Sequence, residues 1–167
     1  MINWNMISKI MGALLFIEAA LMSLCLGISV YSGEGDTPAF VTSVGLILLA
    51  AIVFRYFGLK AGNRLSRKDA YMVVTLSWVV FSLFGSLPFM LSGYVNNVTD
   101  AFFENMSGFT TTGATVIDDV EALPHGLLFW RSFTQWIGGL GIVFFTVALL
   151  PSLDGGYVKV FSAEITG

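Results

Sequence analysis

Four long apolar stretches divide this chain, and a short amphipathic stretch followed by a polar loop lies between the third and the fourth. The long stretches run over about residues 10–30, 38–57, 70–95 and 132–150. Each supplies the roughly 20 mostly apolar residues that a helix needs to cross a bilayer. The first is interrupted only by Glu18, the second carries Arg55 near its end, the third contains Pro88, and Pro151 marks the end of the fourth. The other reading of the first stretch is a secretory signal peptide. Against it, Lys9 is the only basic residue ahead of the stretch, whose apolar core is long for such a leader.

The segment over residues 98–109 is too short and too polar to span, with Glu104, Asn105 and Ser107, yet it places Ala101, Phe102, Phe103, Met106 and Phe109 at helical spacing. Asp100, after Thr99, suits its start. Non-helical backbone at membrane depth is tolerated only where protein buries it or where it lines a watery cavity. A short helix dipping into the membrane, followed by a polar loop climbing back out, meets that condition. The pattern predicts an all-α membrane protein with four transmembrane helices plus one re-entrant pore helix and filter loop. Residues 1–69 form two N-terminal helices and a loop, 70–151 a helix–pore–helix unit, and 152–167 the start of a linker.

Composition supports the membrane class. Of 167 residues, 56% are hydrophobic and 11% charged, with a mean hydropathy of +0.81. Soluble domains carry about 25% charged residues. A net charge of −3 and a pI of about 4.9 argue against nucleic acid as a partner. One cysteine, Cys25, and one histidine, His125, do not make a metal cluster. An enzyme would need converging acids, bases, a nucleophile or a metal, and no such group is evident. Charge also orients the chain. Arg55, Lys60, Arg64, Arg67 and Lys68 gather between the second and third stretches, which places that loop in the cytoplasm. Both ends of the chain then lie inside, in agreement with Lys9 and Lys159. The acidic loops, with Glu34 and Asp36 and with Asp118, Asp119 and Glu121, lie outside.

The candidate chemistry sits in Gly108-Phe109-Thr110-Thr111-Thr112-Gly113-Ala114-Thr115. A cation that sheds water needs replacement oxygens strong enough to bind it and weak enough to release it, and backbone carbonyls suit this. Consecutive carbonyls turn to one side only at unusual φ/ψ values, which Gly113 adopts cheaply. Threonine adds hydroxyl acceptors. The plainer alternative is an external threonine-rich turn that meets no ion. Glu104 is expected to hydrogen-bond behind the loop, and Arg131 to pair with Asp118, Asp119 or Glu121 or to snorkel to the interface. His125 reads as a loop or helix-start residue. Glu18, in mid-span, either faces protein, is neutral, or lines an ion path. The acids near the loop either concentrate cations or only solvate it. The glycines of Trp136-Ile137-Gly138-Gly139-Leu140-Gly141 serve close helix packing or bending.

The run from Ala101 to Thr115 resembles the first pore loop of the Trk/Ktr/HKT potassium transporter superfamily, and the run from Phe129 to Gly141 resembles the helix that follows it. The resemblance is closest to the bacterial TrkH-type subunits, which carry two extra helices before the first pore unit. It implies four helix–pore–helix units around one pore, each giving one filter strand. Here Thr111, Thr112, Gly113 and Ala114 would offer carbonyls to K⁺, flanked by Thr110 and Thr115. Glycine at Gly113 accompanies K⁺ preference, and serine there accompanies Na⁺ transport in some plant members. The resemblance further implies K⁺ uptake, by channel or symport, across the bacterial inner membrane. The chain would be an N-terminal fragment of a protein about three times longer, without the gating loop of the third unit. K⁺ is the transported ion and no cofactor is expected. Implied partners are membrane lipid, the three remaining pore units, a second copy of the full-length protein, and cytosolic nucleotide-binding subunits contacting residues 60–68. The alternative is a non-transporting membrane scaffold or assembly subunit.

Overall fold

A computed structural model of the chain describes residues 2–59, 61–62 and 66–149. Among these, all regular structure is helical: α1 (Trp4–Ser32), α2 (Thr37–Phe57), α3 (Arg67–Gly85), α4 (Leu87–Leu91), α5 (Val98–Phe109) and α6 (His125–Leu149). Lys60, Arg64, Pro151, Lys159 and the expected linker over 152–167 lie outside the described residues.

Helix ends follow local chemistry. Asn3 caps α1 by accepting from the Met6 N–H, and Gly33 closes it in the left-handed region (φ 67) with its N–H on Ser29 O. Ser66 and Asp69 form a reciprocal capping box at α3. Asp69 also accepts from the Asn3 N–H at 2.9 Å, stitching the start of α1 to the start of α3.

The third apolar stretch does not form one unbroken helix. It ends α3 at Gly85, resumes as α4 and stops before Gly93 (φ 78), short of residue 95. Pro88 has no N–H to give to the preceding turn, so the helical ladder is interrupted there.

Among the described residues, three stretches are long and apolar enough to cross a membrane: Trp4–Ser32, Thr37–Phe57 and Lys68–Leu91. The 25-residue α6 starts at His125, well before residue 132, because the Pro124 carbonyl accepts the first helical bond from Leu128 N. A span read as starting after Arg131 leaves out the apolar turn of residues 127–130, which belongs to this helix.

Helix α2 lies along α1, and α5 is held between α3 and α6, while α1 also backs onto α3 and α6. The core between them is aromatic: Phe40, Phe89, Phe109 and Trp130 are fully buried. Phe109 meets Trp130 edge-on, with ring centroids 6.4 Å apart. The Trp130 indole N–H satisfies the Gly85 carbonyl at 2.8 Å, at the end of α3. The outer faces remain apolar, with Leu24, Val30, Leu49, Ile52 and Val143 all exposed. Apolar surface of this extent faces lipid or other protein rather than water.

Candidate functional site: the loop after α5

The short helix and the loop after it form one hydrogen-bonded unit. Asn97, rather than Asp100, caps α5: its side chain accepts from Thr99 N, and Asp100 falls in the first turn, where its charge suits the helix dipole. At the other end the helix unwinds over three residues. The Thr110 N–H and hydroxyl both donate to Met106 O at 2.8 Å, Thr111 N donates to Gly108 O, and Thr112 N reaches back to Ser107 O. Thr111 (φ 57) and Gly113 (φ 76) both take the left-handed conformation. Gly113 was legible as such a position. Thr111 was not, because a β-branched residue there is strained by about 1–3 kcal/mol.

Beyond Phe109 the chain is exposed from Thr110 to Val116. No hydrogen bond among the described residues ends on the carbonyl of Thr111, Thr112 or Gly113. The Ala114 carbonyl accepts from the Ser107 hydroxyl at 2.6 Å, which leaves it one lone pair. The threonine hydroxyls divide in role. Thr110 and Thr112 share a hydroxyl contact of 2.9 Å, and the Thr115 hydroxyl turns back to Glu104.

Glu104, 2% exposed, is the anchor behind the loop. Its Oε2 accepts from the Thr115 hydroxyl at 2.9 Å and from Val116 N at 3.0 Å. Its Oε1 accepts from Arg131 Nε at 2.6 Å. The expectation for Glu104 is met, and that for Arg131 is corrected. Arg131 pairs with Glu104 and not with Asp118, Asp119 or Glu121, because α6 crosses α5 and brings its first turns onto the buried carboxylate. Asp118, Asp119 and Glu121 are exposed, and Asp119 accepts only from Glu121 N. Behind the loop, between Glu104, Gly113, Arg131 and Gln135, remains a cavity of about 10 Å³. That is at most the space of one water, so the loop rests on solid packing.

Glycine permits the crossing of α5 and α6. A Cβ on Gly138 would collide with the Phe109 backbone, and one on Gly108 would lie 2.5 Å from Thr134 Oγ1. Within the glycine run, Gly138 therefore serves close packing, while Gly139 and Gly141 have room for a Cβ. Outside the loop, His125 starts α6 and grips Glu34: its backbone N–H and Nδ1 each lie 2.6 Å from a carboxylate oxygen. The His125 N–H, followed by the imidazole, holds the Glu34 carboxyl below the usual carboxylate range. Cys25 is buried and free. Among the described residues no group of His, Cys, Asp and Glu is arranged to hold a metal ion.

Residues 40–167 match the TrkH family model, described as cation transport protein. The chain is 39% identical over 164 residues to the Trk system potassium uptake protein TrkH of Halomonas elongata, covering 98% of this chain and 34% of that one. Against TrkH of Escherichia coli K12 the identity is 34%, over 99% of this chain and 34% of the relative. The crystal structure of the potassium transporter TrkH from Vibrio parahaemolyticus matches with a TM-score of 0.85 at 36% identity, covering 93% of this chain and 33% of that one. The chain thus spans about a third of the length of these proteins.

Proposed function

The chain belongs to the TrkH family of cation transport proteins, and from that premise we propose that it supplies one of the four filter strands of a K⁺ uptake pore. The single observation behind this reading is the exposed run of unclaimed carbonyls at Thr111, Thr112 and Gly113, braced from behind by Glu104 and Arg131. A K⁺ ion entering the pore exchanges water for these oxygens, with Ala114 adding the free lone pair of its carbonyl and Thr110 and Thr115 holding the ends of the strand. The C-terminal end of α5, which carries the negative end of the helix dipole, leads into the loop and favours a cation there. Because Arg131 neutralises Glu104, the full carboxylate charge behind the strand does not trap the ion.

In this reading α5 is a re-entrant pore helix and α6 is the fourth span. Arg55 and Lys68 lie on the cytoplasmic side of the bacterial inner membrane. The three remaining strands come from the rest of the full-length protein. That protein forms a homodimer and takes its nucleotide control from cytosolic subunits.

The test is K⁺ uptake by the complete protein in cells that lack other K⁺ uptake. A Cβ at Gly113 meets nothing closer than Gln135 Nε2 at 3.8 Å, and aspartate tolerates positive φ better than most residues. Gly113→Asp therefore adds a charge beside the ion path without a steric clash, though with some backbone strain at its positive φ. Uptake lost at equal membrane abundance is the expected result. Uptake retained would return the loop to a structural role and favour the scaffold reading.

A further inference from the structure

Glu18 lies in the middle of α1, is 2% exposed, and has no hydrogen-bond partner for either carboxylate oxygen among the described residues. It borders a cavity of about 70 Å³ whose other walls are apolar, with Phe81 of α3, Phe109 of α5, and Trp130 and Ile137 of α6 facing it. None of those residues titrates. Among the described residues, no other charged group on the packed elements lines this cavity, and Lys9, Lys68, Asp100 and His125 sit near the starts of their helices. Asp69 of α3 accepts from Asn3 and Ser66, Glu104 of α5 is closed on Arg131 of α6, and Arg55 of α2 packs at Gly12, more than a turn nearer the start of α1.

An isolated carboxylate in such surroundings would cost far more than the bilayer-facing helices could offset, whereas a carboxylic acid is tolerated. Water does not solve the problem, since a buried water needs two to four polar partners and the cavity walls offer only Glu18. Intramembrane acids of this kind are costly and are retained for what they bind.

We propose that Glu18 is a proton-binding site within the membrane, occupied at neutral pH, and that it opens to apolar reagents through the space between α1, α3 and α6. A larger cavity of about 380 Å³ begins near Ile10 and shares Leu14, Phe81, Phe109 and Ile137 with the small one. Together the two bring apolar space alongside the Glu18 side chain, with the carboxyl oxygens just beneath the cavity wall. This proposal stands apart from the filter assignment and does not depend on it.

A protonated carboxylic acid adds to a carbodiimide. The acid proton moves to one nitrogen, the carboxyl oxygen bonds to the central carbon at the expense of one C=N π bond, and an O-to-N acyl shift then gives a stable N-acylurea with no leaving group. The experiment treats the complete protein in native membranes at neutral pH with dicyclohexylcarbodiimide, and in parallel with a water-soluble carbodiimide. The Glu18 peptide is then analysed by mass spectrometry. One reagent mass on Glu18 with the apolar reagent, none with the soluble one, and none in Glu18→Gln is the expected result. Equal labelling by the soluble reagent would overturn the proposal. Where other parts of the complete protein close the path, infrared difference spectra of wild type against Glu18→Gln in D₂O decide. Loss of a protonated-carboxyl carbonyl band in the variant supports the site, and loss of a carboxylate band alone overturns it.

Discussion

Glu104 gathers three donors on two oxygens, from the Thr115 hydroxyl, the Val116 N–H and the Arg131 guanidinium, so one side chain sets the position of the strand that follows α5. Glu104→Gln keeps the shape but replaces an acceptor with an amide NH₂ and leaves the Arg131 charge unpaired. We expect a loss of about 3 kcal/mol, the lower end for breaking a buried pair, because Arg131 keeps 21% of its side chain in contact with solvent. The check is the thermal unfolding midpoint of the complete protein in detergent, together with its K⁺-over-Na⁺ preference. An unchanged midpoint would remove Glu104 from this role. Much at this scale was readable from the chain alone. Gly113 announced an unusual backbone position, and Glu104 was expected to hydrogen-bond behind the loop, as it does. The partner of Arg131 was not readable, because the nearest acids in sequence were 118, 119 and 121. The true partner lies 27 residues away and is reached only through a helix crossing. Thr111 was hidden for the opposite reason: its local preference opposes the conformation that the loop imposes.

Elements were legible where hydrophobic periodicity and end signals agreed. The bounds of α5 coincide with the amphipathic segment read from sequence, although its cap is Asn97. The start of α6 escaped because Arg131 interrupts the apolar run; the turn ahead of it, with Leu127 and Trp130 buried in the core, belongs to the helix and is further held by Pro124 and Glu34. The α3–α4 break escaped because apolar content continues straight through Pro88. Close packing was legible in the glycine run, and the structure assigns it to Gly138, against the backbone of Phe109. Gly138→Ala must therefore push α6 away from the end of α5. A cost of about 1–3 kcal/mol is expected, as for other overpacked sites, seen as a lower Tm in the complete protein. A Tm equal to wild type would mean that the crossing is looser than the backbone contact implies.

Across the whole molecule, loops far apart in sequence are tied at the ends of the helices. Glu34, between α1 and α2, holds the start of α6 through His125, 91 residues on. The carboxyl of Glu34 is depressed in the folded protein, chiefly by the His125 backbone N–H. Its contribution to stability is therefore complete above the ordinary glutamate value of about 4.3 and is lost as pH falls through the lower folded value. Tm measured across the acid range should fall more steeply for wild type than for Glu34→Gln, with the two curves converging at the lowest pH. Parallel curves would mean that the tie carries no pH-dependent stability. The all-helical membrane class followed from composition and apolar run length, whereas the helix count did not, since the third apolar stretch is divided into α3 and α4. The ties did not, since nothing in a local window reports which loop an acid will meet.

The bond from Asn3 N–H to Asp69 has a consequence for how the protein is made. The ribosome delivers Asn3 first and Asp69 only 66 residues later, so the Asn3 N–H gains this partner late, although the local Asn3 cap on Met6 is available from the start. One carboxylate then locks two helix starts at once, through Asn3 and through Ser66. The first and third helices are thus registered against each other only after residue 69 has been made.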